Sequence, residues 1–513
     1  MLGIFKNKSD HPLANLKSAQ QLIDALPKKD PVEVLQEVGH WIEALFDPEN
    51  EFRIDHQFVV LRMLDETAHA HLRKISQNYF SVIPPNTFQE NRLWAAMHEY
   101  FTFCEMGYWH LLNAMREGKK GSSSLKGNMP LIIARGMYAL FGRLECVKVR
   151  YSQVDAQCWE RLADFYDYAE GMQCEDEPLQ VYMGGANSNI SIKRLFASLI
   201  AWHSIAVGAF KPLDLHIAKA LITHLSKVFV VHEQFKPGCM FMFDLAKPSS
   251  PMRVLVDGAQ YPQSARFVSA ASPASIVSNL LKTLDKNIVP EEFSFEVAYS
   301  AEQVVDVLRR LAVYFQESLP VRRHQRKKIQ MNVQAVNGFL SILEQAEAGL
   351  NLQGAGSEVC AVEDISVSGL RFVLPASQSN AVKIGTLVGL TPENTAHCGV
   401  GIVRRLRRDA QGNLHVGVKT LANKAEVVLL YGNDSINPAS LALSLDSTDA
   451  QEGERWMLMP SDTFSLNRSP NMWQGEQNYL LLPLAIVEKG SDFDLVRYRQ
   501  MQQDSSGADD DAY

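Results

Sequence analysis

No two cysteines in this chain are spaced Cys-x-x-Cys: the seven, Cys104, Cys146, Cys158, Cys174, Cys239, Cys360 and Cys398, are scattered and odd in number. That excludes a zinc ribbon or a dithiol redox motif and predicts free thiols in a reducing compartment. No uninterrupted apolar run reaches the roughly 18 to 20 residues a bilayer span needs. Met1-Leu2-Gly3-Ile4-Phe5-Lys6-Asn7-Lys8 also lacks the apolar core of a secretion signal. The expectation is a cytoplasmic protein with no direct membrane insertion. Catalytic signatures are missing as well: there is no Gly-x-Ser-x-Gly, no His-Glu-x-x-His, and Gly184-Gly185-Ala186-Asn187-Ser188 lacks the Gly-Lys-Ser/Thr ending of a phosphate loop.

What is present is ordinary soluble-protein material, 46% apolar and 21% charged over 513 residues, too long for one hydrophobic core. The net charge of -8 conceals an asymmetry. Residues 321–425 hold 13 Lys and Arg against 7 Asp and Glu, about +6, which leaves 37 against 51, about -14, elsewhere. A basic module in an acidic chain implies a local anionic ligand more than a general affinity for nucleic acid. Neither a recognition-helix pattern nor a ribonucleoprotein-type aromatic motif is visible, so no nucleic-acid partner is expected.

From about His11 to Phe315 the apolar residues recur at helical spacing. The predicted helices run from Pro31 to Phe46, Ile54 to Ile75, Gln89 to Arg116, Pro130 to Tyr151, Gln157 to Met172, Ile192 to Val207, Leu213 to Gln234, Ala274 to Leu284 and Ala301 to Phe315. A β-hairpin near 239–256 interrupts them, where Cys239 to Phe243 and Met252 to Val256 are short apolar runs joined by Lys247-Pro248-Ser249-Ser250-Pro251. From Met331 to Leu421 the pattern becomes strands separated by glycine turns. These are Ile329 to Leu343, Glu358 to Glu363, Leu370 to Leu374, Thr386 to Leu390, Cys398 to Leu406 and Leu414 to Thr420, six strands of a small barrel or sandwich. Further strands are expected at Trp456 to Met459, Phe464 to Leu466, Tyr479 to Val487 and Phe493 to Tyr498.

The predicted fold class is therefore multidomain α+β. An N-terminal arm (1–10) precedes a large all-α domain (11–318), a bundle or irregular solenoid carrying the hairpin. A six-stranded barrel with a basic N-terminal arm follows (319–425), then a small β-rich extension (426–500) and an acidic, disordered tail (501–513).

Within the helical part, His98, Glu99, Cys104, Glu105 and His110 share one helix and His69 and His71 another. They lack the paired spacing of a metal site and are read as core or surface residues, so no metal and no cofactor is expected. The chemistry concentrates instead between Arg322 and Gly369. Arg322-Arg323-His324-Gln325-Arg326-Lys327-Lys328 contains Arg-x-x-x-Arg, and Asp364-Ile365-Ser366-Val367-Ser368-Gly369 contains Asp-x-Ser-x-x-Gly. Guanidinium groups match the O6 and N7 acceptors of guanine and also pair with phosphate. Asp364 can accept from guanine N–H groups, Ser366 can donate to a phosphate, and Gly369 permits close backbone approach. Two adjacent arginines leave open whether Arg322 or Arg323 partners Arg326. A second cluster, Arg404-Arg405-Leu406-Arg407-Arg408, lies on a strand, where only alternate residues share a face.

In this order and on this background, residues 322–421 resemble a PilZ domain, the bacterial receptor module for cyclic di-GMP. The resemblance implies a six-stranded barrel whose arm presents Arg322 and Arg326 to the guanine bases, often of an intercalated ligand dimer. Asp364, Ser366 and Gly369 would hold the other side. No motif of a diguanylate cyclase or phosphodiesterase accompanies it. It implies a non-catalytic cytoplasmic receptor that binds cyclic di-GMP and signals to a protein partner through the helical domain. The alternative is an interaction scaffold with a degenerate barrel.

Overall fold

The computed structural model of the chain describes residues 11–26, 30–81, 83, 85–182, 189–205, 208–254, 260–271, 273–290, 299–315, 325–348, 358–378, 382–393, 395, 397–432, 439–446, 450–474 and 477–503. The chain divides into two compact units, Met1–Pro320 and Val321–Tyr513.

The first unit opens with nine helices among the described residues: α1 (Leu16–Ala25), α2 (Pro31–Leu45), α3 (Ile54–Tyr79), α4 (Thr87–Arg116), α5 (Ser122–Leu125), α6 (Met129–Val149), α7 (Ala156–Gly171), α8 (Ile192–Ile205) and α9 (Pro212–Leu225). Local chemistry starts several of them. At α2, Pro31 sits in the first turn and the Asp30 side chain accepts from the Val32 N–H at 2.9 Å. Their apolar faces merge into one core that includes Leu35, Leu61, Tyr108, Leu140, Phe165, Phe196 and Trp202. Glycines let the helices approach closely. A Cβ on Gly136 would lie 2.3 Å from the Phe165 ring, and one on Gly142 would lie 2.4 Å from Phe101.

The core also takes in three carboxylates, each clamped by groups from other elements. Asp65 accepts from the hydroxyls of Tyr100 (2.6 Å), Tyr108 (2.5 Å) and Tyr182 (3.1 Å). Glu105 accepts from Arg143 at 2.6 Å and Arg161 at 2.7 Å. Glu145 lies 2.7 Å from His216 Nδ1 and accepts from Lys219 at 2.6 Å. A buried charge is tolerated only when it is paired in this way. Glu105 is thus held by two arginines, while His98 stacks on Trp94. Among the described residues no group of His, Cys, Asp and Glu is arranged to hold a metal ion.

The expected hairpin is part of a larger sheet. Strands β1 (Phe229–His232), β2 (Cys239–Asp244), β3 (Met252–Arg253) and β4 (Ala265–Ala270) form it in the order β1-β4-β2-β3. The helix expected to reach Gln234 stops at Leu225, because Phe229-Val230-Val231 pairs with Val268-Ser269-Ala270 on β4, a partner that local periodicity does not reveal. Helices α10 (Pro273–Leu284) and α11 (Ala301–Ala312) close the unit. Ser300 and Gln303 form a reciprocal capping box at the start of α11.

The second unit holds two closed six-stranded barrels. The first comprises β5 (Lys327–Asn337), β6 (Glu358–Ser366), β7 (Gly369–Leu374), β8 (Leu387–Pro392), β9 (Gly399–Arg408) and β10 (Leu414–Ala422), in the order β10-β7-β6-β5-β8-β9. The second comprises β11 (Ala425–Tyr431), β12 (Ser440–Leu445), β13 (Glu454–Pro460), β14 (Asn471–Gln474), β15 (Gln477–Lys489) and β16 (Phe493–Gln503), in the order β11-β12-β13-β16-β15-β14. The small β-rich extension is therefore a full barrel. Phe464 to Leu466, expected as a strand, forms none, and β11, β12 and β14 were not anticipated.

The strand expected from Ile329 to Leu343 is divided at Gly338, whose φ of +93° turns the chain into helix α12 (Phe339–Ala348). Asp492, just before β16, accepts the Phe339 N–H at 2.7 Å, so the helix start depends on a distant residue. Phe339, Ile342 and Leu343 then pack with Leu387, Val400 and Ile402 of the first barrel and Leu443, Leu458 and Phe493 of the second. Arg404 on β9 adds a two-pronged ion pair to Glu488 on β15. Residues 349–357, which follow α12, lie outside the described residues.

Two outcomes follow. Gly136→Ala gains roughly 1 kcal/mol of helix propensity, but overpacking against Phe165 costs about 1 to 3 kcal/mol. Chemical denaturation should therefore show a net loss of stability. Burial opposes the Glu145 charge, yet Lys219 and His216 outweigh it and hold the carboxyl down from 4.5 to about 2. Because the folded value lies below the unfolded one, this contribution is complete above pH 4.5 and is lost as pH falls through about 2. Glu145→Gln should flatten the pH dependence of stability in that window. It should also cost on the order of 3 to 5 kcal/mol at neutral pH, since it leaves buried partners uncompensated.

Candidate functional site

The turn between β6 and β7 is tight. Ser366 pairs with Gly369, and its hydroxyl donates to the Gly369 carbonyl at 3.0 Å. Behind it the Thr420 N–H donates to the Ser368 carbonyl at 3.1 Å. A Cβ at Gly369 would meet the Val418 carbonyl oxygen at 2.2 Å. Glycine is required here by backbone crowding, and the Ser366 hydroxyl expected to donate outward is engaged within the turn.

Asp364 lies two residues before Ser366 and is 6% exposed. Its Oδ1 is 2.6 Å from Arg326 Nη1 and its Oδ2 is 2.7 Å from Arg371 Nη2. A register shift between Val362 and Asp364 makes Glu363 an extra residue on β6. Both carboxylates consequently face Arg371, whose Nε lies 2.8 Å from Glu363. On the far side His415 bridges Glu363 (3.1 Å) and Asp409 (3.3 Å). The structure thus brings Arg326 of the basic arm to Asp364, across the start of β5. Arg322 and Arg323 lie outside the described residues.

The second basic cluster is divided by strand alternation. Arg404 pairs with Glu488, Leu406 is buried in the barrel, and Arg408 donates to the Gly412 carbonyl at 3.1 Å. Arg405 and Arg407 are exposed. A separate cleft of about 640 Å³, lined by Gln345, Glu393, His397, Cys398, Glu426 and Leu429 among others, contains none of the Asp364 group.

Arg371, Glu363, His415 and Asp409 were not anticipated from the sequence. Arg371 was within reach: it follows Gly369 by two and precedes the buried Phe372, so alternation directs it outward on the strand next to Asp364. The Glu363 bulge and the His415 bridge depend on strand register and had no local signal.

The described residues define a helical unit with an inserted sheet, followed by twin barrels with a paired Asp–Arg cluster on the outer face of the first. Residues 17–234 match the family model described as "Cyclic-di-GMP receptor FimW, N-terminal domain". The match lies entirely in the helical unit, where the sequence motifs had suggested no family. No curated protein matches the chain. Among the described residues no helix is long and apolar enough to cross a membrane.

Gly369→Ala tests the turn. Displacing the Val418 carbonyl should cost about 1 to 3 kcal/mol in denaturation and should leave the helical unit unaffected.

Proposed function

We propose that this protein is a non-catalytic, cytoplasmic receptor for cyclic di-GMP that binds the dinucleotide on the outer face of its first barrel, a PilZ-like domain. The observation that carries this reading is the convergence of Arg326, Arg371 and Asp364 beside the Ser366–Gly369 turn. The family match of residues 17–234, in a different part of the chain, supports the same ligand. The division of labour we propose is a partner-binding helical domain over 11–318 and a nucleotide-binding barrel over 319–425.

In this mechanism Asp364 accepts from the N–H edge of a guanine, using lone pairs that its two arginines leave free. Arg326, with Arg322 or Arg323 four or three residues before it, then closes over the base. Arg326 exchanges part of its bond to Asp364 for bonds to the ligand, so the ligand favours the closed arm by its differential affinity for that state. The arm directly follows the helical unit in sequence, and its closure is the signal passed to a protein partner.

Titration calorimetry with cyclic di-GMP provides the test. Arg326→Ala and Asp364→Ala should each lose about 1 to 3 kcal/mol of binding free energy, the worth of a two-pronged guanine contact. Unchanged affinity in both would overturn the assignment. Absence of any thermal shift of the wild-type chain with cyclic di-GMP would favour the scaffold reading.

A further inference from the structure

The barrel strands carry a lateral row of outward-facing residues beyond Asp364. Asp364 pairs with Arg371 on β7, Arg371 with Gly417 on β10, and Gly417 with Arg405 on β9. The neighbouring row, Phe372, Val416 and Leu406, is buried, which fixes the row containing Arg405 on the outside. Gly417, itself buried, puts no side chain between the two arginines, whose strands lie roughly 9.5 Å apart by two strand spacings.

Charge is distributed unevenly along this surface. At one end Arg326 and Arg371 are matched by Asp364 and Glu363. Beyond Gly417, Arg405, Arg407 and Lys419 are exposed, and among the described residues they make no ion pair. Arg371 is held by the two carboxylates, with Nε 2.8 Å from Glu363 and Nη2 2.7 Å from Asp364. A neutral, polar base edge suits the balanced end. A phosphodiester suits the end with three uncompensated cations.

We infer that Arg405, two strands from Arg371 across Gly417, is a phosphate-binding residue of this site, with Arg407 and Lys419 supplying the surrounding positive field. The inference rests on the cyclic di-GMP reading above and adds an orientation: base edges toward Asp364, a phosphodiester toward Arg405. The glycine has a direct role, because a side chain there would push Arg405 aside: even a Cβ would press on that of Arg405 at 3.2 Å.

Calorimetry of the full chain with cyclic di-GMP at low and high salt tests this. Arg405→Ala should weaken binding about tenfold or more at low ionic strength, with the deficit shrinking at high salt as the lost charge contact is screened. Arg405→Lys should recover part of the affinity, and Gly417→Val should weaken binding with no charge removed. Melting temperatures of the variants confirm that each is folded. Unchanged affinity of Arg405→Ala while Asp364→Ala loses binding would overturn this inference and leave the proposed function standing. A salt-independent deficit would overturn the phosphate assignment. No binding by the wild-type chain would overturn both.

Discussion

A carboxylate withdrawn from water must be answered by donors, and this constraint recurs through the protein. Asp65, Glu105 and Glu145 are each fixed by side chains from other elements, so the helices of the first unit are tied by charge as well as by apolar packing. Asp364 obeys the same rule in the barrel with one difference. The arginines on Glu105 are 8 to 11% exposed, whereas Arg326 and Arg371 on Asp364 are 30 and 39% exposed. The interior clamps have no access to a ligand; the Asp364 pair borders water and can trade partners. Position, more than residue type, separates a structural ion pair from a candidate binding one.

The second barrel acquires a role from the same geometry. Part of the first barrel's outer face, at Leu387, Val400 and Ile402, is covered by α12 and the second barrel, and Arg404 is committed to Glu488. What remains open is the face of β6, β7 and β10 with Arg405 and Arg407 at its border. Within this unit, covering one side of the barrel leaves the side that carries the Asp364 cluster uncovered. It also sorts four arginines of one short stretch into an inter-barrel tie, two exposed cations and a turn brace.

The sequence was most legible where patterns are local. Helix starts marked by proline or an Asp, Asn or Ser cap agree closely with the structure, as at Pro31 and Ser300. The glycine-turned strands of the first barrel were also evident. Legibility failed where a distant residue decides the outcome: Phe229 to His232 is a strand because β4 pairs with it, and α12 begins at Phe339 because Asp492 accepts that residue's N–H. The two adjacent motifs were visible by composition, but their electrostatic partners were not.

By itself, the sequence determined a helical first part, a β-rich remainder and a basic, glycine-turned stretch from Arg322 to Gly369, because capping, periodicity and turn chemistry act between neighbours. Only the tertiary structure decided that Asp364 is shared by Arg326 and Arg371, that Gly417 lies in register between Arg371 and Arg405, and that the C-terminal strands close into a second barrel. Those outcomes follow from strand register, and register is set by the packing of residues far apart in the chain.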